Sequence, residues 1–110
     1  MMKETHGEVM LISLAGKLDS MTAQTFEQDL LGQIAQGRVR LVIDFSQLNY
    51  ISSAGLRVIL MAAKRIKVAS GKLVLSGMQT HIREVFEISG FLTILNVLDG
   101  TNAAIAAAGQ

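Results

Sequence analysis

Hydrophobic and polar positions along the chain switch repeatedly between the spacing of strands and the spacing of helices. Runs rich in valine, isoleucine and leucine predict strands at residues 8–15, 39–44, 72–76 and 94–98. Apolar residues three or four positions apart predict helices at 20–35, from 53 to a glycine stop at 69–71, at 80–90 and, in an alanine-rich segment, at 103–108. Strands that alternate with helices favour parallel pairing through right-handed crossovers, with the first strand at or near one edge. The pattern predicts a small α/β layered domain.

The ends of these elements carry recognisable capping residues. The expected N-caps of the first, third and fourth helices are Asp19 or Ser20, Thr80 and Thr101. Residues 3–6 are charged or polar, and we expect a frayed start before the first strand.

The most informative stretch begins with the apolar run Leu41-Val42-Ile43, which is typical of a strand buried on both faces. This strand is expected to end at Asp44, and residues 45–51 are interpreted as a loop. The helix that follows has Ser52 or Ser53 as its N-cap. Its predicted buried face consists of Leu56, Ile59, Leu60, Ala63 and Ile66.

The serine pair at the start of this helix has a structural and a chemical interpretation. A single hydroxyl is enough to cap a helix and contributes about 1 kcal/mol. Here there are two, and Ala54-Gly55 keep side-chain bulk away from the helix mouth. A phosphate on Ser52 or Ser53 would meet free N–H groups and the positive end of the helix dipole. The helix start could therefore hold a phosphoserine at little cost.

Residues 44–60 resemble the signature of the bacterial anti-sigma-factor antagonists of the STAS domain family, with the pattern Asp-Phe-Ser-x-Leu-x-Tyr-Ile-Ser-Ser-Ala-Gly-Leu-Arg-Val-Ile-Leu. Residues 16–19 and 84–91 are also similar to that family, so the resemblance covers nearly the whole chain. It implies one STAS-like domain over residues 1–110. The implied fold is a mixed sheet of about four to five strands, with helices packed mainly on one side.

The resemblance also implies a phosphorylation site. In the family, a serine or threonine at the helix mouth is phosphorylated by an anti-sigma-factor kinase and dephosphorylated by a phosphatase. Matching Gly55-Leu56 to the family pattern places that hydroxyl at Ser53. The preceding position is usually aspartate but is Ser52 here, which makes Ser52 the second candidate. Asp19 matches a family aspartate that lies near the phosphorylated hydroxyl, and an ordinary N-cap carboxylate is its alternative role.

A stripe beside the predicted buried face of the central helix is a candidate docking surface for a partner. It begins at Ser53 and contains Ala54, Arg57, Val58, Met61 and Arg65. The alternative is partial burial against a neighbouring helix, with the long side chains covering the contact.

The residues offer little support for an enzyme. The chain has no cysteine, which excludes disulfides, thiolate nucleophiles and most zinc sites. Ser70-Gly71-Lys72 lacks the earlier glycine and the final hydroxyl of a phosphate-binding loop. His81 and Glu84 have the spacing of a surface pair and no evident third metal ligand. No histidine base stands beside the serines in the motif. We expect no catalytic site, cofactor or metal.

Composition narrows the setting of the protein. Its 110 residues are half apolar and suffice for one domain with a real core. The first residues lack the apolar region of a secretion signal, and no apolar run is long enough to span a membrane. The cytoplasm is the expected compartment. With a net charge of +1, and no basic cluster beyond Lys64-Arg65-x-Lys67, nucleic acid is not an expected partner.

The leading hypothesis from the resemblance is a partner-switching regulator. The unmodified protein would bind a histidine-kinase-like ATPase that acts as anti-sigma factor, and phosphorylation would release it. ATP would bind the partner, and a serine phosphatase would reset the switch. Two alternatives are a STAS-type adaptor subunit of a transport system, in which the serine is only a cap, and a domain that binds a small anion at the helix mouth.

Overall fold

The computed structural model describes residues 2–110 as a five-stranded sheet with four α-helices. The strands are β1 (Met2–His6), β2 (Val9–Leu18), β3 (Arg40–Ile51), β4 (Lys72–Ser76) and β5 (Asn96–Leu98). The helices are α1 (Thr22–Ala35), α2 (Ser53–Val68), α3 (Thr80–Ile88) and α4 (Thr101–Ala108), with a 3₁₀ turn at Phe91–Thr93. The strand order is β1-β2-β3-β4-β5, and only the β1–β2 pair is antiparallel. The predicted mixed α/β sheet is confirmed.

The sheet is covered on both faces, but unequally. The larger core joins one face of the sheet to α1, α2 and α3, and β3 contributes Leu41 and Ile43 to it. Val42 points to the opposite face, where it packs with Ala104 and Ala108 of α4. All three β3 side chains have no exposed surface. The prediction that this strand is buried on both faces is therefore confirmed, because α4 closes the second face.

The beginning of the chain differs from the prediction of a frayed segment. Residues Met2–His6 form an edge strand that pairs with β2 through a tight turn at Gly7, whose φ is +63°. The Lys3 ammonium also contacts the Asp29 carboxylate of α1 at 2.6 Å. Every residue of β1 is exposed, so no hydrophobic pattern marks it. Its pairing depends on backbone hydrogen bonds to β2, which local sequence does not reveal.

The two central strands are longer than predicted. β2 continues to Leu18, and β3 continues to Ile51 through the segment interpreted as a loop. The extensions pair with each other through register shifts on either side of Ala15 and Gly16, and Leu18 lies opposite Ile51. Most side chains of residues 46–50 are polar and point to solvent, so the sequence lacks the hydrophobic pattern by which a strand is recognised. The amide of Gln79 also fixes this segment, because its nitrogen donates to the carbonyl oxygens of Ser46 and Leu48.

Three predicted helix starts are also shifted. α1 begins at Thr22 rather than Ser20, and the N-cap positions of α1, α3 and α4 are occupied by Met21, Gln79 and Gly100 rather than by the predicted residues. Thr101 instead places its hydroxyl 3.3 Å from that of buried Ser76. The β5 strand is shorter than predicted because the chain before it turns through Phe91–Thr93. These differences leave the order of the predicted elements unchanged.

Candidate functional site

The candidate site lies where β2 and β3 end side by side. Leu18 and Ile51 are register partners, and the amide of Ser52 donates a 2.9 Å hydrogen bond to the Leu18 carbonyl oxygen. After this contact, one chain segment turns into α1 and the other enters α2 directly. Asp19 therefore follows immediately after the residue that holds Ser52. The structure thus brings Asp19 and the serine pair to the same edge of the sheet.

The two serines have different environments. Ser52 is the N-cap of α2: its backbone is extended, and its hydroxyl accepts a 3.3 Å hydrogen bond from the amide of Gly55. Ser53 is the first helical residue and is exposed. Within residues 2–110, its hydroxyl makes no hydrogen bond. One serine is thus committed to capping, whereas the other presents a free hydroxyl at the positive end of the helix.

Gly55 allows the first turn of α2 to approach the sheet closely. A β-carbon at this position would lie 2.8 Å from the Leu18 carbonyl oxygen and 2.9 Å from the Ile51 side chain. Real β-carbon contacts are essentially never that short, so any larger residue would push α2 away. This approach faces Gly55 towards the core and sets the rotation of the helix about its axis.

The rotation of α2 differs from the prediction. Its buried residues are Gly55, Val58, Ile59, Ala62 and Ile66. Ile59 and Ile66 are confirmed as core, but the predicted Leu56, Leu60 and Ala63 are only half-buried. The periodic pattern could not decide between adjacent faces, because nearly every position from Leu56 to Ala63 is apolar.

The candidate docking stripe is altered by the same rotation. Ala54 and Met61 are half-buried, and Arg57 and Arg65 are exposed. Val58 must be removed from the stripe because only 2% of its surface is exposed and it packs in the main core. A side chain so buried offers no surface to a partner. The predicted alternative, burial rather than docking, is correct for this residue.

Asp19 holds the turn that leads into α1, whose N-cap position is Met21. Its Oδ1 accepts from the amides of Met21 and Thr22 at 3.0 Å each and from the Thr22 hydroxyl at 3.2 Å. The hydrogen bond from the Thr22 amide lowers the pKa of Asp19 most, followed by that from Met21, and the nearby Lys17 charge adds a smaller effect. Asp19 is therefore a carboxylate at neutral pH. It satisfies two backbone amides at the start of α1 and places a negative charge at the site, but the N-cap position predicted for it is occupied by Met21.

The sequence did not reveal that the side of α2 facing away from the core carries a surface of its own. Leu60 and Lys64 follow Ser53 by seven and eleven residues, which is two and three helical turns on one face. The apolar spacing assigns Leu60 to the core, yet it is half-buried, and Val68 at the end of α2 is 87% exposed. The available signal was electrostatic, because α2 contains lysine and arginine but no acidic residue.

Within residues 2–110, His81 and the acidic side chains add no further candidate site. His81 places its Nε2 2.6 Å from the Asn49 carbonyl oxygen rather than pairing with Glu84, and so holds the end of β3. Within residues 2–110, no three histidine, aspartate or glutamate side chains are grouped as metal ligands would be. In the same residues, no helix has the length and apolar character needed to cross a membrane.

The chain belongs to the STAS domain family, since the family model described as "Mlab, STAS domain" matches residues 1–98. BtrV of Bordetella bronchiseptica, which carries the provisional name of an anti-sigma factor antagonist, is 46% identical over 99 residues, or 90% of this chain and 85% of the relative. The anti-sigma-B factor antagonist of Listeria monocytogenes is 32% identical over 108 residues, or 92% of this chain and 94% of the relative. The resemblance inferred from residues 44–60 is thereby confirmed. These relatives are named as regulators rather than enzymes.

Solved structures show the same fold. A protein from Thermotoga maritima, provisionally described as an anti-sigma factor antagonist, matches 98% of this chain and 93% of its own with a TM-score of 0.93 and 17% identity. The Bacillus cell fate determinant SpoIIAA in its phosphorylated form matches 99% of this chain and 98% of its own with a TM-score of 0.78 and 22% identity.

Proposed function

We propose that this chain is an anti-sigma factor antagonist that is switched by phosphorylation of Ser53. In its unmodified form it binds an anti-sigma factor that is a histidine-kinase-like ATPase, and this binding frees the sigma factor in the cytoplasm. The partner's ATP supplies the phosphate, modification releases the antagonist, and a serine phosphatase restores it. The names of the two relatives support the class of regulator. The phosphorylated form of SpoIIAA is a precedent for the modification on this fold.

Ser53 is chosen over Ser52 because the two hydroxyls differ in hydrogen bonding. The Ser52 hydroxyl is occupied by the Gly55 amide, whereas the Ser53 hydroxyl is exposed and makes no hydrogen bond within residues 2–110. In the STAS family, the position that corresponds to Ser52 is usually aspartate. Aspartate and serine are both among the strongest N-cap residues. Ser52 can therefore perform the same capping task, and its presence leaves Ser53 as the accessible phosphate acceptor.

The phosphate should block the partner rather than unfold the antagonist. A phosphoserine carries roughly −1.5 to −2 charges at neutral pH, and negative charge at a helix N-terminus is favourable. The first turn of α2 is also anchored independently by the Ser52–Leu18 hydrogen bond. Release then results from closing the partner over a strongly hydrated dianion, whose burial without matching cations costs several kcal/mol. The carboxylate of Asp19 adds negative charge at the same edge of the sheet.

The test uses purified candidate kinase and ATP, with three forms of the chain. Intact-mass and peptide-mapping measurements should find one phosphate on wild type and on Ser52→Ala, and none on the matched Ser53→Ala variant. The phosphorylated protein should bind the kinase at least about tenfold more weakly than the unmodified protein. Full modification of Ser53→Ala would contradict the site, and equal affinity of the two forms would contradict the switch.

A further inference from the structure

A shallow groove runs along the face of α2 opposite the core. We call it the outer groove, and its residues are Arg57, Leu60, Met61, Lys64, Arg65 and Val68. All of them belong to α2, and the surface they offer is mostly apolar, with Arg57, Lys64 and Arg65 interspersed among the apolar residues. Leu60 and Met61 are half-buried, while Val68 is 87% exposed. The groove therefore offers apolar contact area that no other part of residues 2–110 covers.

All the charged side chains of α2 are cations. α2 carries the four cations Arg57, Lys64, Arg65 and Lys67 and no acidic residue, whereas the whole chain has a net charge of only +1. The remaining residues are consequently net acidic. The ion pairs found within residues 2–110 involve Lys3, His6 and Arg83, so none of them neutralises a cation of α2. The groove is thus an unpaired basic surface on an otherwise acidic molecule.

We propose that the outer groove binds an acidic amphipathic segment of the partner protein. The identification of that partner as the anti-sigma-factor kinase rests on the proposed function. Apolar side chains of the segment would pack on Leu60, Met61 and Val68, and its carboxylates would pair with the cations between and beside them. A segment that carries both apolar and acidic side chains on one face matches this mixture of apolar and basic residues.

The position of the groove relative to Ser53 couples docking to the switch. Ser53 precedes Arg57 by one turn and lies on the same side of the helix as Leu60 and Lys64. A phosphate there adds negative charge at one end of the groove and competes with the acidic segment for Arg57. Release therefore has an electrostatic component that acts along the helix as well as a local block at its mouth.

The first experiment does not need the kinase. Two synthetic helical peptides share one leucine stripe, and their other positions are glutamate in one and lysine in the matched control. Amide chemical shifts of the unmodified full chain should change around Leu60, Lys64 and Val68 with the acidic peptide only. Equal perturbation by both peptides, or perturbation elsewhere, would overturn the proposed chemistry of the groove.

The second experiment compares two charge reversals on the same helix. Lys64→Glu lies in the outer groove, whereas Lys67→Glu reverses a charge that is also exposed but lies outside it. Both proteins should unfold at nearly the same temperature. We expect Lys64→Glu to weaken binding of the acidic peptide and of the kinase at least about threefold, with Lys67→Glu close to wild type. Equal effects of the two reversals would overturn the groove assignment.

Further measurements distinguish other occupants and the dependence on the proposed function. If the acidic peptide does not bind, two other occupants of the groove can be tested. Binding to phosphatidylserine vesicles that Lys64→Glu abolishes would identify a membrane as the occupant. Dimerisation, measured by light scattering, that Lys64→Glu abolishes would identify a second copy of the chain; either result would overturn the proposal. The experiments use unphosphorylated protein, so failure of kinase phosphorylation at Ser53 would contradict the switch alone. Failure of the acidic peptide to bind would contradict the groove alone.

Discussion

The amide of Ser52 donates a 2.9 Å hydrogen bond to the carbonyl oxygen of Leu18. This one contact joins the end of β2 to the N-cap of α2, and the hydroxyl of the same residue accepts from the Gly55 amide. The next residue, Ser53, is left exposed on the helix. The geometry of the candidate site therefore depends on the pairing of two strand ends as much as on the serines themselves.

The serines should differ in their contributions to stability. Ser52→Ala removes the acceptor for the Gly55 amide and should lower the free energy of unfolding by about 1 kcal/mol. Ser53→Ala removes an exposed hydroxyl without a hydrogen bond in residues 2–110 and should change it by less than about 0.5 kcal/mol. Urea denaturation of the two proteins measures this difference. A larger loss for Ser53→Ala would show that the capping roles are reversed.

The close approach at Gly55 should make that residue intolerant of a methyl group. Gly55→Ala forces its β-carbon against the Leu18 carbonyl and should destabilise the protein by about 1–3 kcal/mol. Gly32→Ala is the matched control, because Gly32 lies inside α1 and a β-carbon there would meet nothing within 4 Å. That substitution should stabilise by about 0.5–1 kcal/mol. Equal effects of the two changes on urea midpoints would refute the packing argument.

Asp19 should contribute to stability in a pH-dependent way. The hydrogen bonds from Thr22 and Met21 lower its pKa in the folded state, so its contribution is present above the unfolded pKa of about 3.9. It is lost as the pH falls through the lower folded-state pKa. Asp19→Asn cannot titrate, so wild type should lose stability relative to this variant on acidification below about pH 4. Urea unfolding at several pH values measures the difference, and parallel pH curves would contradict the lowered pKa.

A phosphate on Ser53 should interact with Arg57 one turn later. Phosphoserine can be introduced at position 53 during translation, which makes the experiment independent of any kinase. The second pKa of the phosphate, about 6 when unperturbed, should be higher in Arg57→Gln than in the otherwise wild-type chain, because a nearby cation favours the dianion. Phosphorus NMR titration reads this value directly. Arg65→Gln, three turns from Ser53, is the control and should leave it unchanged; identical values in all three proteins would exclude the pairing.

The site could be predicted in part because its chemistry is local. Helix-start serines, the following Ala54-Gly55 and the motif over residues 44–60 are contiguous, so their place at a helix mouth follows from neighbouring residues. The separate environments of Ser52 and Ser53 could not be assigned that way. Which hydroxyl caps α2 depends on the backbone direction set by Leu18, a residue 34 positions from Ser52.

The sequence by itself determined the alternation of strands and helices and the burial of Leu41, Val42 and Ile43, since spacing and β-branching act within a few residues. Tertiary structure alone decided the pairing of polar β1, the extension of β3 to Ile51 and the rotation of α2. An exposed strand has no hydrophobic pattern, and its backbone groups are satisfied only by a neighbour that is distant in the chain. α2 likewise has several apolar faces, and the one that is buried is the face on which Gly55 contacts Leu18. With that face buried, Arg57 and Lys64 are exposed to the solvent.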